Sequence, residues 1–278
     1  MTISRRTSKT RLRKVRLYSS ENPGGSDLRK VKLYLEKLFP SLDVQILPSI
    51  FGSIKKSELQ AVAYALASAR VKDPDVQEQS HEPLFGEVDY ELRTIQGKAR
   101  VGGVVYEGRR LRELLIGFLS GRRTLSIASV VFTDRLISTF SRDDMRHHLR
   151  TIVCGFPSIV SKPGVVEAPA KPREFYILKQ QMELEGASEY GIERLKSSFK
   201  GRFVDFGDPR LAEVLRGLTL QAIMYHLTLD PFCDDRDCRL FNSHRQEELV
   251  RAQITSGELC SRHTNALEEL GRKPLLRW

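Results

Sequence analysis

Three cysteines and a histidine in the last quarter of the chain are spaced as metal ligands. Cys233 and Cys238 enclose four residues, and Cys260 and His263 enclose two, with a spacer between the pairs. Three thiolates and one imidazole suit a closed tetrahedral Zn²⁺ site, and closed four-ligand sites hold structure together rather than open a position for substrate. One structural zinc is therefore expected at Cys233, Cys238, Cys260 and His263. Asp234, Asp235 and Asp237 are expected to be solvated rather than ligating, because sulfur donors favour zinc over hard cations. A Cys233–Cys238 disulfide is the competing pairing. The basic start MTISRRTSKTRLRKVRL lacks the apolar core of a secretory signal, so a reducing, cytoplasmic setting is expected, where cysteines hold metal more often than they pair. Cys154 sits in an apolar run and reads as a small core hydrophobe.

Several elements must position those ligands. Leu211, Leu215, Leu218, Ala222, Tyr225 and Leu229 recur at steps of three and four, a buried stripe on a long helix opened by Asp208-Pro209 and stopped by Pro231. Cys233 follows at once. A loop and helix over Arg239–Ala252 return the chain, and Cys260 and His263 fall at the start of a last helix, whose electropositive N-terminus favours a thiolate. Upstream, helices are expected over 27–39, from Ser57 to Arg70, over 109–119 and within 179–200. Strands are expected at Val44–Ile46, near Val101–Tyr106, at Ile127–Phe132 and near Cys154. Residues 71–98 read as a long loop, and His147-His148 as part of a charged helix-like stretch. The segment 165–176, with two prolines and alternating charge, reads as irregular chain beside a strand. It could line a cleft, with Glu167 and Arg173 as its polar contacts. Helices alternating with strands indicate an α/β fold, a mixed sheet of about four or five strands packed on helices.

The chain has 45 Lys plus Arg against 35 Asp plus Glu, a net +10 over 278 residues. Arg5, Arg6, Lys9, Arg11, Arg13, Lys14 and Arg16 stand among the first sixteen residues without an acid. Residues 1–27 are expected to form a flexible basic arm and linker ahead of a single domain over 28–278, with the zinc module at 230–278. The arm could neutralise phosphates, giving salt-sensitive nucleic-acid binding. Hydrophobic content of 40% matches a soluble globular chain. No run approaches the roughly 18 apolar residues of a membrane span, so no membrane partner is expected.

Residues 221–263 resemble the archaemetzincins, zinc-dependent metallopeptidase-like proteins, and an archaeal branch of that group in particular. Their pattern is HExxHxxGxxH, then Cys-x4-Cys, a spacer and Cys-x2-Cys. Here Cys233, Cys238 and Cys260 fall at cysteine places, and His263 takes the last. The resemblance implies a zincin-like domain with a C-terminal structural zinc module. It also implies a hydrolytic zinc held by three histidines beside a glutamate base. His226 keeps the place of the second histidine. Ala222, Ile223, Leu229 and Phe232 replace the first histidine, the glutamate, the glycine and the third histidine, and Leu240 stands where a methionine is usual. The ordinary zincin reaction has no residues to carry it at those places. The leading expectation is a metallopeptidase-like protein without standard peptidase chemistry, a pseudoenzyme that binds a peptide or a protein in the old cleft. A rebuilt hydrolytic site is the second reading. His226 and Asp230 share a helix face, and a third ligand would come from His147, His148, Glu167 or His244. Nucleic-acid binding through the basic arm is the third.

Overall fold

The computed structural model describes residues 12–21, 25–77, 82–119 and 124–272, without the side chains of 26, 189 and 268–272. The described chain opens with β1 (Lys14–Ser19), α1 (Ser26–Leu38), β2 (Asp43–Ile46), α2 (Leu59–Ser68) and α3 (Phe85–Ile95). Next, β3 (Val105–Glu107) runs directly into α4 (Gly108–Ile116). Strands follow: β4 (Ile127–Thr133), β5 (Leu136–Ser141), β6 (Arg146–Arg150), β7 (Ile152–Val153) and β8 (Ser158–Ser161). The rest is helical: α5 (Lys162–Glu167), α6 (Arg173–Leu184), α7 (Glu189–Ser198), α8 (Leu211–Thr228), α9 (Gln246–Val250) with a π-helical turn over Arg251–Ser256, and α10 (Ser261–Arg272).

Five strands form the main sheet in the order β2-β1-β4-β8-β7, parallel except where β7 meets β8. Its strands are covered on both faces, as parallel sheets require. Val15, Leu17, Val130, Phe132 and Val160 point to a core shared with α1 and α8. Tyr18, Val131 and Ile159 point the opposite way, into a core shared with α2 and α4. This is the α/β mixed sheet on helices that the sequence indicates. A second sheet of three strands, β3-β5-β6, is an addition that the sequence pattern did not suggest. Among the described residues no helix is long and apolar enough to cross a membrane.

Several expectations are corrected. The basic stretch is not an arm throughout: Lys14–Ser19 is β1, an interior strand between β2 and β4. Val15 and Leu17 are fully buried while Lys14 pairs with Asp43 at 3.0 Å. The period-two alternation of apolar residues with cations is a strand signal that charge counting hides. Arg13 is exposed and Arg16 half-buried at this strand. Arg5, Arg6, Lys9 and Arg11 lie outside the described residues. The loop expected over 71–98 contains α3, whose Val88 packs on Ala63 and Ala67 of α2. Polarity misled because its inward face carries Glu91, fully buried. His147 and His148 lie on β6, paired with Phe140 and Thr139 of β5, and not on a helix. Part of the 165–176 segment is helical as α5, where Ser161 Oγ accepts the Gly164 N–H at 2.9 Å and Pro163 sits in the first turn. A Cβ on Gly164 would collide with the Arg150 carbonyl, so glycine is what lets α5 lie against β6. Helix α8 starts at Leu211 rather than at Pro209, since Asp208 spends its carboxylate on Arg210.

A buried ion cluster ties the two sheets to α3. Arg135 is fully buried, with Nη1 2.5 Å from Glu91 Oε2 and 2.6 Å from the Tyr106 hydroxyl. Its Nε lies 3.0 Å from Glu21 Oε1. Arg70 donates to Glu91 Oε1 from Nε at 2.9 Å and from Nη2 at 2.5 Å.

Candidate metal centre and adjoining cleft

Helix α8 ends because Leu229 turns left-handed (φ +62°), with its N–H on the Tyr225 carbonyl. The chain then enters the cysteine loop. Cys233 N–H donates to the Leu240 carbonyl at 3.0 Å, and Cys238 N–H to the Asp235 carbonyl at 3.1 Å. Each loop sulfur also accepts a backbone N–H two residues on, Asp235 to Cys233 Sγ at 3.4 Å and Leu240 to Cys238 Sγ at 3.5 Å. Arg239 N–H on the Glu258 carbonyl, 2.6 Å away, brings the returning strand of chain alongside. Cys260 then stands at the N-terminus of α10, with His263 one turn in.

The four donor atoms lie within 4.8 Å of one another. Cys233 Sγ and Cys260 Sγ are 3.9 Å apart. His263 Nδ1 is 3.6 Å from Cys238 Sγ and 3.2 Å from Cys260 Sγ. Zn–S bonds of about 2.3 Å and Zn–N of about 2.0–2.1 Å give tetrahedral edges near 3.8 Å for S–S and about 3.6 Å for S–N. The cluster therefore fits a zinc ion, and Nδ1 is the histidine atom that would hold it. Bound there, zinc would supply a cross-link between the α8 end, the cysteine loop and α10. All four cysteines are unpaired, so the disulfide alternative is not realised. Among the described residues no other group of three or more Cys, His, Asp or Glu side chains converges in this way.

The donors differ in how readily they give up a proton. Burial, then the neighbouring Cys233, push the Cys238 thiol up to about 12 against two backbone N–H groups. Burial also opposes ionisation of Cys260, but the His263 N–H, the Cys238 and Cys233 thiols and the Arg262 N–H outweigh it and hold this thiol below its ordinary value. Burial, and then the Arg262 charge, lower the His263 pKa, which keeps the imidazole neutral and able to donate its lone pair. The aspartates are where solvation was expected. Asp234, Asp235 and Asp237 are exposed. Asp237 is held by Arg251 at 2.6 and 2.7 Å.

A cleft of about 630 Å³ opens beside the far end of the cysteine loop. Strands β6 and β7, the start of α4, and the crossover Ala168-Pro169-Ala170 wall it in, with Phe232 and His244 at one side. The crossover is pinned by Ala170 N–H to the His244 carbonyl and Gln246 N–H to the Ala170 carbonyl, at 3.0 and 2.8 Å. The 165–176 segment thus lines a cleft, but through Ala168–Ala170. Glu167, exposed, and Arg173 are not among the lining residues.

A family model described as "Probable metallopeptidase family (DUF6775)" matches residues 11–270. The chain belongs to that family. No curated protein matches it. Two solved structures are similar to it. One is an archaemetzincin from Methanopyrus kandleri, 13% identical, covering 98% of this chain and 99% of its own, with a TM-score of 0.47. The other is a zinc-dependent peptidase from Methanocorpusculum labreanum, 11% identical, covering 91% of this chain and 98% of its own, with a TM-score of 0.42.

Helix α8 is apolar where hydrolytic ligands were sought. Ala222 and Ile223 are 2% and 0% exposed, inside the main core. His226 is buried as well. Its Nε2 donates to the Leu125 carbonyl at 2.9 Å and its ring meets Phe156 edge-on, so it closes a loop against α8. Asp230 is exposed on the chain beyond α8 and Glu167 sits at the end of α5. His147 donates to or accepts from Ser138 Oγ and meets the Val76 carbonyl, and His148 pairs with Asp144 at 2.7 Å. His147, His148 and His244 line one cleft, but among the described residues no three of the candidates for a rebuilt hydrolytic centre converge on a single point.

Burial lowers the His226 pKa, with the Leu125 carbonyl pulling the other way. The unfolded chain then binds more protons than the folded one between the depressed folded value and about 6.5. Stability from this residue is present above about pH 6.5 and is lost as pH falls toward the folded value. We expect His226→Gln, which keeps a donor for Leu125, to flatten that acid limb in urea titrations run from pH 7.5 to 5. An unchanged pH slope would mean that His226 is not the buried neutral group.

Proposed function

We propose that this protein is a zinc-binding metallopeptidase homologue whose single zinc is structural, and that it lacks the standard zincin reaction. In this reading its cleft receives a polypeptide without cutting it. One observation carries the reading. The four donors of the Cys3His cluster lie close enough to share one ion, while the α8 places of the hydrolytic ligands are filled by buried Ala222 and Ile223. A buried alkyl group offers neither a lone pair for a metal nor a base for water. Retained fold with replaced chemistry is compatible with membership in the family, because function resides in the site rather than in the fold. A cytoplasmic location would suit reduced thiolates.

Elemental analysis of protein purified without added metal tests the reading, beside a peptidase assay on mixed peptides. One zinc per chain and no chelator-sensitive cleavage are expected. Two zinc ions per chain, or cleavage abolished by chelator at one zinc, would overturn it.

A further inference from the structure

The cleft beside β7 carries an unbalanced charge. Among its lining residues are Arg109, Arg112, Arg146 and Arg150, and none of the lining residues is acidic. Two of the four approach from α4 and two from β6, so helix and strand converge their cations on one space. Arg146 is drawn off toward Asp75, 3.6 Å away at the rim. The other three have no carboxylate within ion-pair distance among the described residues. Arg112 instead donates to the Cys154 carbonyl at 3.1 Å, and Arg150 Nε donates to Thr139 Oγ1 at 2.8 Å. A Cβ on Gly155 would collide with the Arg112 guanidinium, so the chain is locally shaped to let that cation lie across it. Arg150 is half-buried and its pKa is held down by burial and then by the Arg109 charge, with Asp144 opposing. That carboxylate is itself engaged by His148. Like charges gathered in a partly desolvated cleft cost stability unless an anion joins them.

We infer that this cleft binds an acidic polypeptide segment, one that presents carboxylates to Arg109, Arg112 and Arg150. The inference rests on the peptide-receiving reading given above and names the chemistry of the peptide. Guanidinium forks match carboxylates in bidentate geometry. A polypeptide is favoured over a nucleic acid by the rest of the wall. Leu149, Ile152, Val153 and Pro169 are apolar, and the rings on the wall are Phe232 and the imidazoles of His147, His148 and His244, of which His147 is tied to the Val76 carbonyl and His148 to Asp144 rather than offered as platforms for successive bases. Strand β7 ends the sheet order, so among the described residues no strand pairs with its outer edge, where an extended polypeptide could add.

The test uses full-length, zinc-loaded protein and fluorescence anisotropy. The probes are a labelled peptide with three glutamates, its glutamine analogue, and a single-stranded oligonucleotide of equal charge. The glutamate peptide is expected to bind about tenfold or more tightly than the glutamine peptide, with a gap that narrows as salt rises. Arg109→Gln, at an exposed position with no packing role, is expected to shrink that gap without shifting the melting point. Equal binding of the two peptides would overturn the acid preference and leave the peptide reading standing. Binding of the oligonucleotide alone, or of no probe, would overturn both. A second zinc with cleavage would sink the non-cutting reading, yet a glutamate preference in kcat/KM that Arg109→Gln removes would uphold the inference.

Discussion

Cys260→Ser is expected to abolish stoichiometric zinc binding and to unfold the C-terminal third of the protein. Structural zinc supplies on the order of 10–16 kcal/mol in finger-like sites, against total domain stabilities of about 5–15 kcal/mol. The effect should spread beyond the cysteine loop. Cys233, Cys238, Leu240, Leu249 and Leu267 belong to the same hydrophobic core as Val15, Val130, Leu215 and Leu218. Losing the cross-link frees α10 and the π-helical turn, which cover part of that core. Elemental analysis, a thermal melt and limited proteolysis read the three consequences. Cys154→Ser is the control, since Cys154 lies apart from the cluster and burial pushes its thiol up to about 12. A Cys260→Ser protein that retains one zinc and its melting point would disprove the ligand set.

Glu91→Ala should be the most damaging single change outside the cysteine cluster, at about 3–5 kcal/mol, because it removes the carboxylate that two buried guanidiniums share and leaves Arg135 with Glu21 and Arg70 with the longer contact to Glu87. Arg135 and Arg70 both aim at this carboxylate, and the Tyr106 hydroxyl donates to it at 2.7 Å. Burial works against the Arg135 charge, but Tyr106, Glu21 and Glu91 together outweigh it and raise its pKa. A guanidinium does not give up its proton in a protein, so the cation persists when Glu91 is removed, and Glu21 is the carboxylate left to balance it. Glu91→Gln, which keeps the volume and an acceptor, should lose less. Urea unfolding midpoints at constant slope measure both. A loss under about 1 kcal/mol for Glu91→Ala would show that solvent reaches the cluster and relieves the unpaired charge.

The cysteine–histidine cluster was legible because its information is local. Thiolate and imidazole are rare, strongly selected donor types, and fixed short spacings force each pair into one turn of chain, so Cys233, Cys238, Cys260 and His263 could be read together before any fold was known. The long apolar stripe of α8 and the strand at Ile127–Thr133 were legible for a related reason, since burial on a regular element imprints its period. Three features depended on tertiary structure. Strand β1 hides in a basic stretch, because its cations Lys14 and Arg16 alternate with buried Val15 and Leu17 and fall on the opposite face of the sheet. Helix α3 hides in a polar one, because Glu91 is buried against arginines that lie 21 residues upstream and 44 downstream. The arginine-lined cleft is assembled from α4 and β6, whose cations sit in separate and unremarkable charge runs. Their mutual repulsion acts through space, across distances that spacing along the chain does not encode, so only the packing of α4 against the edge of the sheet brings them onto one wall.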